Sequence, residues 1–296
     1  MKNMPVPALI TDLSIVPGSN SPAGSESPSL IDDYLRTQAA FIAQLRDGAL
    51  IKSSPLVGAT TNLYMTVSAA SATATVAADE IVVGTALGAT TYRLANFSKT
   101  INLATTGINA MDTGTAPVSG WVAIYAIYNP TTSTSALLGV NSPNTFMPTI
   151  YGGANMPAGY TASALLTVVP TNASSQFKVC AVRGRKVYIQ LNAAFIGSPV
   201  NANTAITTIV PANAIEITNG ELIIQSTLSS TMSLTVISQL GTLLGQQNMS
   251  ATLSANVPLT GNFGAVPLTV PQNLGIIGNS TAGTPTYSVY VSGYSI

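Results

Sequence analysis

From about residue 60 onward, apolar residues alternate with polar ones or run uninterrupted over strand-length stretches, separated by clusters of Gly, Pro, Asn, Ser and Thr. The pattern predicts strands at 62–67, 81–83, 92–94, 100–103, 121–128, 164–169, 177–182, 186–191, 222–225, 234–237 and 287–291. Arg183-Gly184-Arg185 reads as a turn joining two of these into a hairpin. Thr218-Asn219-Gly220 reads as a second turn, which would set Glu216 and Glu221 on the solvated face of another hairpin. Strands at this spacing indicate sandwich- or barrel-like domains. No fixed-length repeat points to a solenoid.

A different period occupies residues 29–48. Ser29 is placed as an N-cap with Asp32 at the third helical position, and Gly48 as the stop. Asp32 and Asp33 in the first turn and Arg46 in the last suit the helix dipole, and Asp32 and Arg36 are spaced for an i,i+4 pair. Ile31, Leu35, Gln38, Ile42 and Leu45 follow the spacing of a coiled-coil seam with one polar layer. Leu30, Tyr34 and Phe41 form a second apolar stripe beside it. The seam serves either a trimeric coiled coil or docking on the chain's own body. Ahead of the helix, residues 1–28 hold five prolines and no period, which reads as an extended arm.

The organisation expected is therefore mainly β, with an N-terminal arm and one short helix: arm 1–28, helix 29–48, β domain or domains 49–185, and a distal β domain 186–296.

Composition narrows the chemistry. Charged residues make up 7% of the chain, against about 25% in a typical soluble protein, and 30 Ser and 37 Thr stand in their place. Ten basic and ten acidic residues cancel, which argues against nucleic acid as a partner, since phosphate binding needs an excess of clustered positive charge. With no histidine and one cysteine, the chain cannot build a Ser-His or Cys-His nucleophile, a zinc site of the usual ligands, or a disulfide within itself. Cys180 alternates with polar neighbours and reads as a small buried strand residue. Catalysis by paired carboxylates is the one enzymatic route left, yet beyond Asp112 the acids are Glu216 and Glu221 alone.

Residues 113–177 and 222–296 carry no charged side chain. Charge, lysine above all, is what protects exposed sheet edges from pairing with other chains. Uncharged edges are expected either to close on themselves or to be covered by neighbouring subunits; the second is favoured, which points to a homotrimer. The N-terminus has no signal-peptide pattern, and no run reaches the ~20 apolar residues of a spanning helix. That combination fits a virion component made in a host cytoplasm.

Two segments carry a resemblance. Residues 17–48, PGSNSPAGSESPSLIDDYLRTQAAFIAQLRDG, resemble the N-terminal segment of tail-fibre proteins of tailed bacteriophages and prophages, with the core Leu30-Ile31-Asp32-Asp33-Tyr34-Leu35-Arg36. Residues 79–177, with DEIVVG, TYRLANFSKTINLATTG, YAIYNPTTSTSALLGVN and YGGANMPAGYTASALLTVVPTN, are similar to a domain of prophage tail proteins. The resemblance implies a trimeric, virion-attached fibre or fibre adaptor, docked on tail or baseplate proteins through its arm. It implies host-surface polysaccharide or protein as the distal partner, without cofactor, metal or catalytic residue. Rival readings are another peripheral virion position (collar, baseplate, head fibre or decoration) and a carboxylate-dependent glycan depolymerase.

Candidate contact residues follow. Arg183, Arg185 and Lys186 place three of the ten positive charges within four residues, which suits phosphate or carboxylate groups. Tyr287, Tyr290 and Tyr294 alternate imperfectly, so at least one is expected to face outward as an amphipathic contact. Trp121, the single tryptophan, opens an apolar strand and is expected in the core.

Overall fold

The computed structural model describes residues 31–46, 55–198 and 200–296. The arm 1–28, the cap Ser29 and the stop Gly48 lie outside the described residues, as do the side chains of Asp32, Gln44, Leu45 and Arg46. The chain divides into two compact units, Met1–Ser54 and Pro55–Ile296.

In the first unit, helix α1 spans Ile31–Arg46. Ala, Leu, Gln and Arg dominate it, residues that lose little side-chain freedom in a helix. Thr37 satisfies its hydroxyl on the carbonyl of Asp33 one turn back, at 2.8 Å. Its two apolar stripes differ sharply. Tyr34 and Phe41 are 4% and 5% exposed, whereas Ile31, Leu35 and Ile42 are 52%, 61% and 66% exposed, and Gln38 lies open between them.

The second unit is all β. Its strands are β1 Thr60–Thr61, β2 Tyr64–Val67, β3 Thr73–Gly84, β4 Thr91–Thr106, β5 Ala110–Met111, β6 Trp121–Asn129, β7 Thr134–Asn141, β8 Ala162–Pro170 and β9 Cys180–Arg183. They continue as β10 Lys186–Gly197, β11 Asn201–Ala205, β12 Glu216–Ser226, β13 Ser230–Ile237, β14 Gln247–Leu253, β15 Leu259–Phe263, β16 Val266–Pro267, β17 Asn273–Ser280 and β18 Pro285–Ser295. One sheet runs β15-β12-β18-β10-β9-β2-β3-β4-β5-β7-β6-β8, with β1 added on β3 and β16 on β12; a second runs β11-β17-β13-β14.

The large sheet closes on itself at one end. Gly84 of β3 pairs with Ser163 of β8, joining β3-β4-β5-β7-β6-β8 into a ring. β6 and β8 sit inside this region and are buried almost throughout, which explains why their sequences are continuous apolar runs instead of alternating ones. At the other end, β12, β18 and β10 face the four-stranded sheet as a sandwich. Tyr287 of β18 lies flat over Gly278 of β17, where a Cβ would meet its ring at 2.8 Å. One apolar core runs through both parts.

Several sequence expectations need correction. The division at 185/186 cuts the turn of the β9–β10 hairpin, and residues 55–296 form one unit. The segments 92–94 and 100–103 are one strand, β4. Strand 177–182 begins later, at Cys180, with Phe177 making isolated bridges to Ser71 and Thr171. Thr218-Asn219-Gly220 is no hairpin turn: β12 runs through it, and its register against β18 slips there. A bulge of this kind bends the strand locally and shifts the alternation of its faces by one residue.

Candidate functional site

Alternation across β2, β9 and β10 sorts their side chains cleanly. Met65, Val67, Cys180, Val182 and Val187 point inward and are buried, while Tyr64, Thr66, Arg183, Lys186, Tyr188 and Gln190 are exposed. Register places the outward residues in rows. Tyr64, Arg183 and Lys186 are direct neighbours in one row. Thr66, Ala181, Tyr188 of β10, Gly293 of β18 and Asn219 of β12 are neighbours in the next. Tyr188 therefore stands between Ala181 and Gly293, the two smallest residues available, and is 39% exposed.

Beside Tyr188 a groove of about 310 Å³ runs over Ala181, walled by Thr66, Ser68 and Gln190. It continues past Val179 and Ile189 into a hollow of about 100 Å³ bordered by Lys178, Asn192 and Thr208. A further hollow of about 260 Å³ shares Thr208 and Trp121 and adds Ser119, Asn141 and Asn144. No carboxylate lines any of the three.

The predicted cation cluster flanks this groove. Arg183 is largely committed to the protein: Nη1 donates to the carbonyl of Val182 at 2.8 Å and both terminal nitrogens reach Thr66 Oγ1 at 3.3 Å. Its guanidinium lies 5.6 Å from the centre of the Tyr64 ring. Arg185 Nη2 donates to the carbonyl of Gly58 at 3.3 Å, and partial desolvation lowers its pKa. Lys186 projects freely from the next strand, and none of the three makes an ion pair among the described residues.

The tyrosine expectation is corrected in part. Tyr287 and Tyr294 are fully buried, and Tyr290 alone is partly exposed. Neither buried ring can touch a receptor. They point inward although seven residues separate them, because register slips in this sheet break strict alternation. Trp121 lies in the core as expected, its indole N–H donating to the carbonyl of Thr207 at 3.2 Å. Cys180 is buried, and desolvation pushes its thiol up to about 12, far from a reactive thiolate.

Glu216 and Glu221 share one extended strand, so they stand on the order of 15 Å apart at about 3.3 Å per residue. Paired glycosidase carboxylates stand about 5–9.5 Å apart. Among the described residues no three His, Cys, Asp or Glu side chains cluster as metal ligands, and no helix is long and apolar enough to cross a membrane.

No family model matches the chain, and no curated protein matches it. Among solved structures, the infectious bursal disease virus Gx strain is 11% identical, covering 81% of this chain and 69% of that one, with a TM-score of 0.20. A Bacillus thuringiensis Cry1Da tryptic core variant is 9% identical, covering 86% of this chain and 54% of that one, with a TM-score of 0.21. Similarity at this level carries no argument about fold or function.

The groove was missed by sequence reading, although part of its signal was there. Lys186, Tyr188 and Gln190 fall at every second position opposite Val187 and Ile189, which marks Tyr188 as outward. That its flanking neighbours would be Ala181 and Gly293 depends on pairings far apart in sequence.

Proposed function

We propose that this chain is a structural and adhesive virion protein: a trimeric subunit of a phage tail fibre or fibre adaptor, attached at its N-terminal end and engaging the host surface without catalysis. The observation that carries the reading is the exposed seam of α1. Ile31, Leu35 and Ile42 are open to solvent on a helix whose neighbouring stripe is buried, and their heptad spacing matches copies of the same helix. Three copies per fibre would multiply weak host contacts into firm attachment. The separation of Glu216 and Glu221 gives the depolymerase reading no support.

Sedimentation of the full chain in non-denaturing buffer tests the reading. A species of three times the 30.2 kDa chain mass is expected, converting to monomer in a Leu35→Asp/Ile42→Asp variant. A folded wild-type monomer at micromolar concentration overturns it. Antibody against the β body should then label phage particles at the tail in electron micrographs.

A further inference from the structure

We propose that the groove beside Tyr188 binds a neutral glycan, with one pyranose ring stacked on the tyrosine. This deepens the attachment reading and rests on it.

A pyranose presents an apolar C–H face and a rim of hydroxyls. The groove offers the matching pair. The Tyr188 ring is accessible because the side chains on either side of it are a methyl group and a hydrogen, at Ala181 and Gly293. A tyrosine so placed supplies rigid amphipathic area at small entropic cost. Along the rim, Ser68 and Gln190 have side-chain polar groups with no hydrogen-bond partner among the described residues, leaving them free for sugar hydroxyls. The Tyr188 hydroxyl is free in the same sense. At about 310 Å³ the groove lies at the low end of small-molecule sites, and its continuation toward Asn192 gives a second ring somewhere to go.

Other occupants fit less well. An extended peptide recognised by strand addition needs an open backbone edge. Here β9 is paired on both sides, with β2 and β10, and β10 at Tyr188 with β9 and β18; along the groove the unpaired stretch of β10 is only Gln190 and Leu191, too short for a strand to add to. A phosphorylated or strongly acidic ligand needs several uncommitted cations. The lining itself holds one, Lys178; of the cluster that flanks it, Arg183 is engaged by Thr66 and Val182 and Arg185 by Gly58, which leaves Lys186 as the single free cation of the three among the described residues, outside the lining. A lining without carboxylates and with one cation matches an uncharged ligand.

The test uses the full chain on an array of neutral oligosaccharides containing glucose, galactose, mannose or N-acetylglucosamine, beside acidic polysaccharides. Binding to a neutral glycan is expected, weakened at least tenfold in Tyr188→Ala, several-fold in Gln190→Ala, and little changed in Tyr188→Phe, which keeps the stacking face. Sedimentation of each variant must match the wild type. If Tyr188→Ala changes the oligomeric state, the face is a subunit contact and the proposal falls. Binding only to acidic polysaccharide also overturns it. Adsorption of the chain to cells in a panel of bacterial strains separates the two readings. If cells are bound but no neutral glycan is, the groove assignment fails and attachment stands. If neither is bound, both fail.

Discussion

The rings of Trp121 and Tyr294 meet edge to face, centroids 6.0 Å apart and planes at 88°. The contact joins β6 of the closed ring to β18 of the sandwich, and Tyr294 extends it by donating its hydroxyl to the carbonyl of Val168 in β8 at 2.7 Å. Tyr294→Phe keeps the packing and loses that hydrogen bond. It is expected to cost about 1–2 kcal/mol, and Tyr294→Ala about 3–5 kcal/mol, read from denaturant midpoints.

Tyr287 predicts the opposite sign. Like Tyr294 it is shielded from solvent, yet its hydroxyl has no hydrogen-bond partner among the described residues. Removing an unsatisfied buried hydroxyl relieves a desolvation cost. Tyr287→Phe should therefore leave stability unchanged or raise it by about 1 kcal/mol. A loss comparable to that of Tyr294→Phe would show that the hydroxyl has a partner.

Alkaline pH should loosen the body. Burial raises the pKa of Cys180 to about 12 and that of Tyr151, which also donates to Asp112, to about 12; Tyr125 and Tyr294 are pushed up as well. Each folded pKa lies above its unfolded value. The native state thus holds more protons at high pH, and the stability from these neutral groups is complete below about pH 8 and lost as pH rises toward 12. Urea midpoints should fall from pH 9 upward. In Cys180→Ala the slope between pH 10 and 11 should shrink by about 1.3 kcal/mol per pH unit.

Gly220→Ala tests the β12 bulge. An added Cβ would lie 2.2 Å from the Phe263 ring and 2.5 Å from the carbonyl of Tyr290, a backbone atom that cannot swing aside. Overpacking here is expected to cost roughly 1–3 kcal/mol, with a shift in the near-ultraviolet signal of the aromatic residues. An unperturbed variant would mean that β12 and β18 separate more easily than their pairing implies.

What the sequence disclosed follows the range of the interaction concerned. The α1 seam and the outward positions of β10 are set by residues a few places apart, and period alone exposes them. Asn219-Gly220 misled because an Asn-Gly pair that makes a hairpin looks the same as one forming a bulge. The difference lies in Phe263 and Tyr290, which crowd Gly220 from strands some 40 and 70 residues away. Tyr287 and Tyr294 misled likewise, since the register slip that turns both inward belongs to pairing partners that local alternation cannot reveal. The site was half legible for the same reason: the platform is local, while the gaps beside it are made by distant strands.

The placement of β18 sets a timetable for the growing chain. It fills the slot between β10 and β12, strands made about 100 and 70 residues earlier. Until residues 285–295 emerge, both of those strands wait with a bare flank, β10 with no charge beyond Lys186 and β12 with Glu216 and Glu221 alone to ward off strangers. Long-range pairing of this kind is slow. The interval between synthesis of β12 and arrival of β18 is then when the chain is most open to mispairing with its siblings, and faster translation between residues 226 and 285, or a chaperone that shields β10, should raise the yield of folded protein.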